Sequence, residues 1–160
     1  MTRYRTVTWE DPSPVRIVGG VRSGLALWQA IAAGELPPPP VARLLGFDDI
    51  ESVAEGRVVF RMPPAEEHLN PLGTVHGGVL TTLLDSAMGC AVHSTLAAGT
   101  GYATLELKVN LVRPVLPDTG RIRAEGRVLH PGRRAATAEG RLLDAAGRLL
   151  AHGTTTCIIL

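Results

Sequence analysis

The sequence predicts an α+β fold: an antiparallel sheet of about five or six strands wrapped around one long central helix, with an extra helical segment on the N-terminal side. Three observations predict it. From His76 onward Leu80, Leu83, Leu84, Ala87 and Ala91 recur at helical spacing and draw one apolar stripe. Ala103, Leu105, Leu107, Val109 and Leu111 alternate with Thr104, Glu106, Lys108 and Asn110, the period of a long half-buried strand. Further alternating stretches lie on both sides of the helix. A sheet with one apolar face must bury that face, and the helix is the available partner.

The elements follow in order. Residues 1–20 are polar and hold Pro12, Pro14 and Gly19-Gly20, so a poorly ordered or loosely docked arm is expected. Ser23 can cap a short helix through Leu25, Leu27, Trp28 and Ile31 that ends at Gly34. The four prolines 37–40 read as a stiff connector, and 41–47 has room for one more helical turn. Residues 48–54 and 57–62 read as two strands about Glu55-Gly56, the second alternating Val58, Phe60 and Met62 with Arg57, Val59 and Arg61. Residues 65–75 form an irregular loop with His68 and Asn70, and the long helix is expected from about His76 to Leu96. After the strand at 103–111, closed by Arg113-Pro114, two more are expected at 121–128 and 136–142, turning at Pro131-Gly132. A hairpin loop at 144–147 leads to the last strand, 149–158.

The chain of 160 residues, 45% hydrophobic and 19% charged, suits one globular domain. Residues 1–43 read as an N-terminal extension and 44–160 as the domain proper. A net charge of +1 gives no general pull toward nucleic acid or anionic membrane. Lys108 is the only lysine, so the positive charge is carried by arginine. No apolar run approaches the roughly 18 residues of a membrane span. Residues 1–14 lack a signal-peptide core, which makes the cytoplasm the expected location. Cys90 and Cys157 fall in the helix and strand patterns, read as small core residues, and show no metal-ligand or disulfide spacing.

The candidate chemistry gathers at the loop-to-helix stretch Asn70–Asp85. Asn70-Pro71 and Gly73 turn the chain, and Gly77-Gly78 open the helix. A helix start carries free N–H groups and partial positive charge, so it can hold an oxyanion, and glycines leave the approach open. Asp85 lies within the helix with no Lys or Arg three or four positions away. It reads as a solvated surface carboxylate or, if buried, as a group with a raised pKa suited to a general base or nucleophile. His76 and Asp85 lie about 13 Å apart along a helix and on opposite faces, at about 1.5 Å and 100° per residue. The helix-start donors and the carboxylate can therefore serve one substrate atom only if two subunits supply them, which implies a symmetric dimer with composite sites.

In this order the residues resemble the hotdog-fold thioesterases, in particular the PaaI-like (phenylacetyl-CoA thioesterase-like) branch. The resemblance rests on Asn70, Gly73, His76-Gly77-Gly78, Asp85 and the strand Thr104-Leu-Glu106 to Arg113-Pro114, and it covers about residues 44–158. It implies a hotdog fold and hydrolysis of an acyl-CoA thioester, aryl or medium-chain. It implies Asp85 as general base or nucleophile, and the Gly77 N–H as the group that polarises the carbonyl. Asn70 would position water or the carboxylate, and Thr104 would orient the water. His76 would cap the helix, orient the loop or move a proton, with Gly78 beside it at the substrate. Arg113, Arg133 and Arg134 are the candidates for the CoA phosphates, or else exposed arginines near turns. No cofactor or metal is implied, coenzyme A being part of the substrate. The family forms dimers, commonly paired into tetramers. The alternatives are a non-catalytic acyl-CoA-binding or regulatory module on the same fold, and a hydratase or dehydratase, against which the Asn70, Gly77 and Asp85 set speaks.

Overall fold

The computed structural model describes residues 1–47 and 49–160. Its elements are α1 (Ser13–Gly19), α2 (Gly24–Ala32), α3 (Pro40–Leu45), β1 (Asp49–Ala54), β2 (Arg57–Met62), α4 (Gly77–His93), β3 (Tyr102–Leu111), β4 (Ile122–His130), β5 (Ala135–Leu143) and β6 (Leu149–Ile159). The strands form one sheet in the order β1-β2-β4-β5-β6-β3, antiparallel at every step. Asp48, the first residue of the expected strand 48–54, lies outside the described residues.

The stripe on α4 is buried as expected: Leu80, Leu83, Leu84, Ala87 and Ala91 all face the sheet or the segments that cover it, with Met88 and Val92. What lets the sheet close so tightly around them is a pair of glycines, Gly126 and Gly140, in a row that Gly153 extends. Gly126 of β4 pairs with Gly140 of β5, and Gly140 pairs with Gly153 of β6. A Cβ at Gly126 would stand 2.1 Å from the Ala87 carbonyl oxygen, and one at Gly140 would stand 2.9 Å from Met88 Cγ. On the polar face β1, β2 and β4 cross-pair their charges, with Arg57 on Glu125 at 2.7 Å and Arg123 on Glu51 at 2.8 Å. Each such partly exposed pair contributes about 0.2–1 kcal/mol.

Four expectations need correction. The arm at 1–20 contains a helix, α1, because Pro14 sits in its first turn, where a proline costs no hydrogen bond. The proline run is more than a connector, since Pro40 opens α3 in the same way. The long helix stops at His93 rather than Leu96. Ser94 takes the chain out of it: its hydroxyl donates to Ala91 O at 2.7 Å and accepts from Gly56 N at 2.8 Å, in the β1–β2 turn. Fourth, β3 does not alternate throughout. Thr104 opposes Cys157 and Glu106 opposes Thr156, so Leu105 is a bulge residue, 61% exposed. Leu107 and Val109 pack on the core, whereas Leu105 is set apart from that face. A bulge reverses the phase of the pleat, so Thr104 shares the helix side of the sheet instead of the Glu106 and Lys108 side.

The N-terminal helices are seated on the same core. Leu27, Trp28 and Ile31 of α2 belong to one apolar cluster with Phe60 and the α4 side chains. Ser23 caps α2 as expected, accepting from Ala26 N at 3.3 Å. Gly24 N donates to Leu96 O and Gly99 N donates to Gly19 O, both at 3.1 Å.

Because the contact at Gly126 is backbone against backbone, Gly126→Ala forces the helix off the sheet. The expected cost is about 3 kcal/mol. That corresponds to a fall of about 6–12 °C in the melting temperature by differential scanning calorimetry, and an unchanged Tm would show that the helix has room to move.

Candidate active site

Asp85 is half-buried in the middle of α4. Thr104, turned toward the helix by the bulge, donates its hydroxyl to Asp85 Oδ1 at 3.0 Å. Among the described residues no cation pairs with Asp85 and no donor reaches its second oxygen. Beside the carboxylate lies a cavity of about 260 Å³. Asp85, Ser86, Cys90 and Thr104 form one wall, Phe47, Phe60 and Tyr102 another, and Trp28, Pro39, Val41 and Ala42 of the N-terminal segment close it. Asp85 is the one charged residue in that lining.

The rest of the lining stays neutral for physical reasons. Burial pushes the Tyr102 hydroxyl and the Cys90 thiol well above their ordinary pKa values. Tyr102 lies across α4 at Gly89, where a Cβ would stand 2.8 Å from its hydroxyl. Trp28 Nε1 donates to His93 Nδ1 at 3.0 Å, which fixes the acceptor nitrogen of a histidine whose pKa is lowered by burial. Phe60 meets Trp28 and Phe47 edge-on, with ring centroids at 6.2 and 5.8 Å.

At the other end of α4 the helix start is built separately. His76 caps it, Nδ1 accepting from Gly78 N at 2.9 Å. The Gly78 amide is therefore engaged, while the Gly77 amide has no acceptor among the described residues. Leu111 lies over Gly77, close enough that a Cβ there would meet its Cδ1 at 2.7 Å. Asn70 holds the preceding loop: its Oδ1 accepts from Leu72 N at 2.9 Å and Thr74 N at 3.2 Å, and its Nδ2 donates to Thr74 Oγ1 at 2.9 Å. One Nδ2 hydrogen is left for another partner. His68, buried behind this loop, accepts from Ala65 N through Nδ1 and has its pKa lowered by burial.

One chain thus brings Asp85 and Thr104 together at one end of β3, and Asn70, His76, Gly77 and Gly78 at the other. The arginines divide the same way. Arg133 and Arg134 are exposed on the β4–β5 turn, where Arg134 O accepts from Ile159 N, and Ile159 pairs with Tyr102 at the Asp85 end. Arg113 lies beyond Leu111 and donates to Leu149 O. Tyr102, Trp28, Phe47 and Phe60 escaped the sequence reading as wall residues. For Tyr102 a signal exists in Gly89, a glycine inside a helix, which marks the close approach of a large side chain.

Comparison with known proteins gives the following. A family model described as the thioesterase superfamily matches residues 72–151. Acyl-coenzyme A thioesterase 13 of Homo sapiens is 29% identical over 119 residues, 71% of this chain and 81% of that protein. The conserved protein PA5202 from Pseudomonas aeruginosa is 35% identical, with a TM-score of 0.72 over 77% of this chain and 95% of that one. The PaaI protein of the E. coli phenylacetic acid degradation operon is 26% identical, with a TM-score of 0.72 over 83% of this chain and 92% of that one. These relatives bear out the hotdog fold.

The buried His68 and the half-buried His93 set a pH limit on the fold. Both have folded pKa values below the ordinary imidazole value of about 6.5, so the unfolded chain binds more protons as the pH falls below that value. Stability is therefore present above about pH 6.5 and is lost as the pH drops toward the folded values. The melting temperature is expected to fall between pH 7 and pH 5, before carboxylates titrate. The fall should be smaller in His93→Gln, whose amide still accepts from Trp28 and carries no proton; an equal fall would place the effect elsewhere.

Proposed function

This chain belongs to the thioesterase superfamily, and from that premise we propose that it hydrolyses acyl-CoA thioesters of aryl or medium-chain acids with Asp85 as the general base. The observation that carries the reading is the Thr104–Asp85 hydrogen bond at the edge of an apolar cavity of about 260 Å³. Acyl-CoA thioesterase chemistry is that of the family; the roles given to residues below are our reading. One carboxylate oxygen is held by Thr104, which leaves the other to take a proton from water. The Thr104 hydroxyl, donating to Asp85, keeps lone pairs that can accept from the same water. The water oxygen attacks the thioester carbon, the carbonyl oxygen takes up the charge, and the C–S bond breaks to release CoA thiolate, which is then protonated.

The charged oxygen calls for a preorganised donor, and the free Gly77 amide of a second copy fits that need. The proposal therefore includes a dimer. β3 is a terminal strand of the sheet, and its outer edge and flank carry exposed Leu105, Leu111 and Val112. A strand of this length with an open edge is normally covered. Antiparallel pairing of β3 with its copy, centred near Leu107 and Lys108, sets Thr104 of one chain opposite Leu111 of the other. Asp85 then faces the partner's Gly77, with the partner's Asn70 beside it. The same pairing brings Arg113 of one chain to the end that holds Arg133 and Arg134 of the other, a cation set suited to the CoA phosphates.

The test is release of free CoA thiol from aryl- and alkyl-CoA substrates. Asp85→Asn is expected to lower kcat by about 10³-fold or more in a folded dimer, and Thr104→Ala by about 10-fold to 100-fold. Turnover unchanged in Asp85→Asn would remove the carboxylate from the reaction. A single turnover in ¹⁸O-labelled water is expected to place the label in the product acid; label in Asp85 instead would make the carboxylate the nucleophile.

A further inference from the structure

The cavity beside Asp85 has a neighbour. A second cavity, of about 530 Å³, lies between α1, α2, the proline run and the loop after α4. It does not touch Asp85 or Thr104, and its lining is mainly apolar, with Val15, Leu27 and Ile31 on the helix side and Arg16 the one charged residue. The two cavities share three wall residues: Trp28, Pro39 and Tyr102. Of these Trp28 is the one large side chain from the N-terminal segment, and specific contacts hold it on several sides. It is 7% exposed, its Nε1 is tied to His93, and its ring meets Phe60 and His93 edge-on at 6.2 and 6.3 Å. The indole is thus a fixed partition between a small chamber at the carboxylate and a larger apolar chamber behind it.

Size says what the partition does. A dry cavity of about 150 Å³ holds a benzene ring, so the near chamber of about 260 Å³ takes a ring or a short chain with a few further carbons. A longer chain pointing away from Asp85 runs into Trp28. Resting on the thioesterase reading above, we propose that Trp28 sets the length limit of the acyl group, and that the chamber built by the N-terminal helices becomes available to the substrate once the indole is removed. Selectivity for the acid part would then reside in a segment that lies outside the residues matched by the family model, 72–151.

The experiment measures affinity of the full chain for non-hydrolysable acyl-CoA thioethers from two to sixteen carbons, by calorimetry, with CoA release from the matching thioesters followed in parallel. In the wild type, affinity is expected to rise about fourfold per methylene until the near chamber is full, and then to level off or fall. In Trp28→Ala the rise continues, giving at least 10-fold tighter binding of the dodecyl ligand than in the wild type with little change for the butyl ligand. Trp28→Phe keeps a ring against Phe60 and gives an intermediate limit if the alanine variant does not fold. Ala42→Leu, which fills the near chamber, moves the limit to shorter chains. Superimposable length profiles in the wild type and the folded Trp28 variants would overturn the proposal. Absence of CoA release would overturn the hydrolysis reading instead, and the binding profile would still decide the role of Trp28.

Discussion

The close approach of α4 to the sheet is the constraint on which the rest of the structure depends. A helix can lie this deep in a curved sheet only where strand side chains are absent, and Gly126 and Gly140 clear one row across β4 and β5. That row sets the height of the helix over the sheet, at the Ala87 carbonyl and the Met88 side chain. Asp85 is two residues from Ala87, so its carboxylate stands where β3 and the N-terminal helices can reach it. The depth that makes the core also makes the site.

The site's electrostatics follow from the same burial. Tyr102, Cys90 and His93 are all driven toward their neutral forms by loss of water, and the polar edges of Trp28 and His93 satisfy each other. The carboxylate is left facing an apolar chamber with one hydroxyl and no countercharge among the described residues.

Much of this was legible in the sequence, and the exceptions share a cause. The α4 stripe and the strand alternation are local periodicities, and they survive because each has one face to bury. That Thr104 and Asp85 belong to one site followed from the family resemblance rather than from spacing; the hydrogen bond between them is a finding of the structure. Spacing alone would have put Thr104 on the far side of β3, since nothing local to residues 102–106 announces the bulge at Leu105; the register with β6 does. Tyr102 and Trp28 were illegible as wall residues for the same reason: their partners, Gly89 and His93, are set by how distant elements stack. The prolines misled in the opposite direction, since Pro14 read as part of a loose arm and Pro40 as part of a connector, and both in fact start helices.

The seam between the N-terminal helices and the far end of α4 has a consequence for how the molecule comes together. Gly24 sits so close to His93 O that a Cβ there would stand 1.8 Å from it, and Gly19 and Gly24 bond to Gly99 and Leu96. The residues that close the chamber at one side are thus made well before their partners, which follow much later in the chain. During synthesis α2 waits with Leu27, Trp28 and Ile31 uncovered until α4 and the loop after it have left the ribosome. Ordering it means closing a long loop, a step whose entropy cost is met only when the helix is already there. A segment made before α4 finds its place only after it, and the chamber beside Asp85 acquires that wall only then.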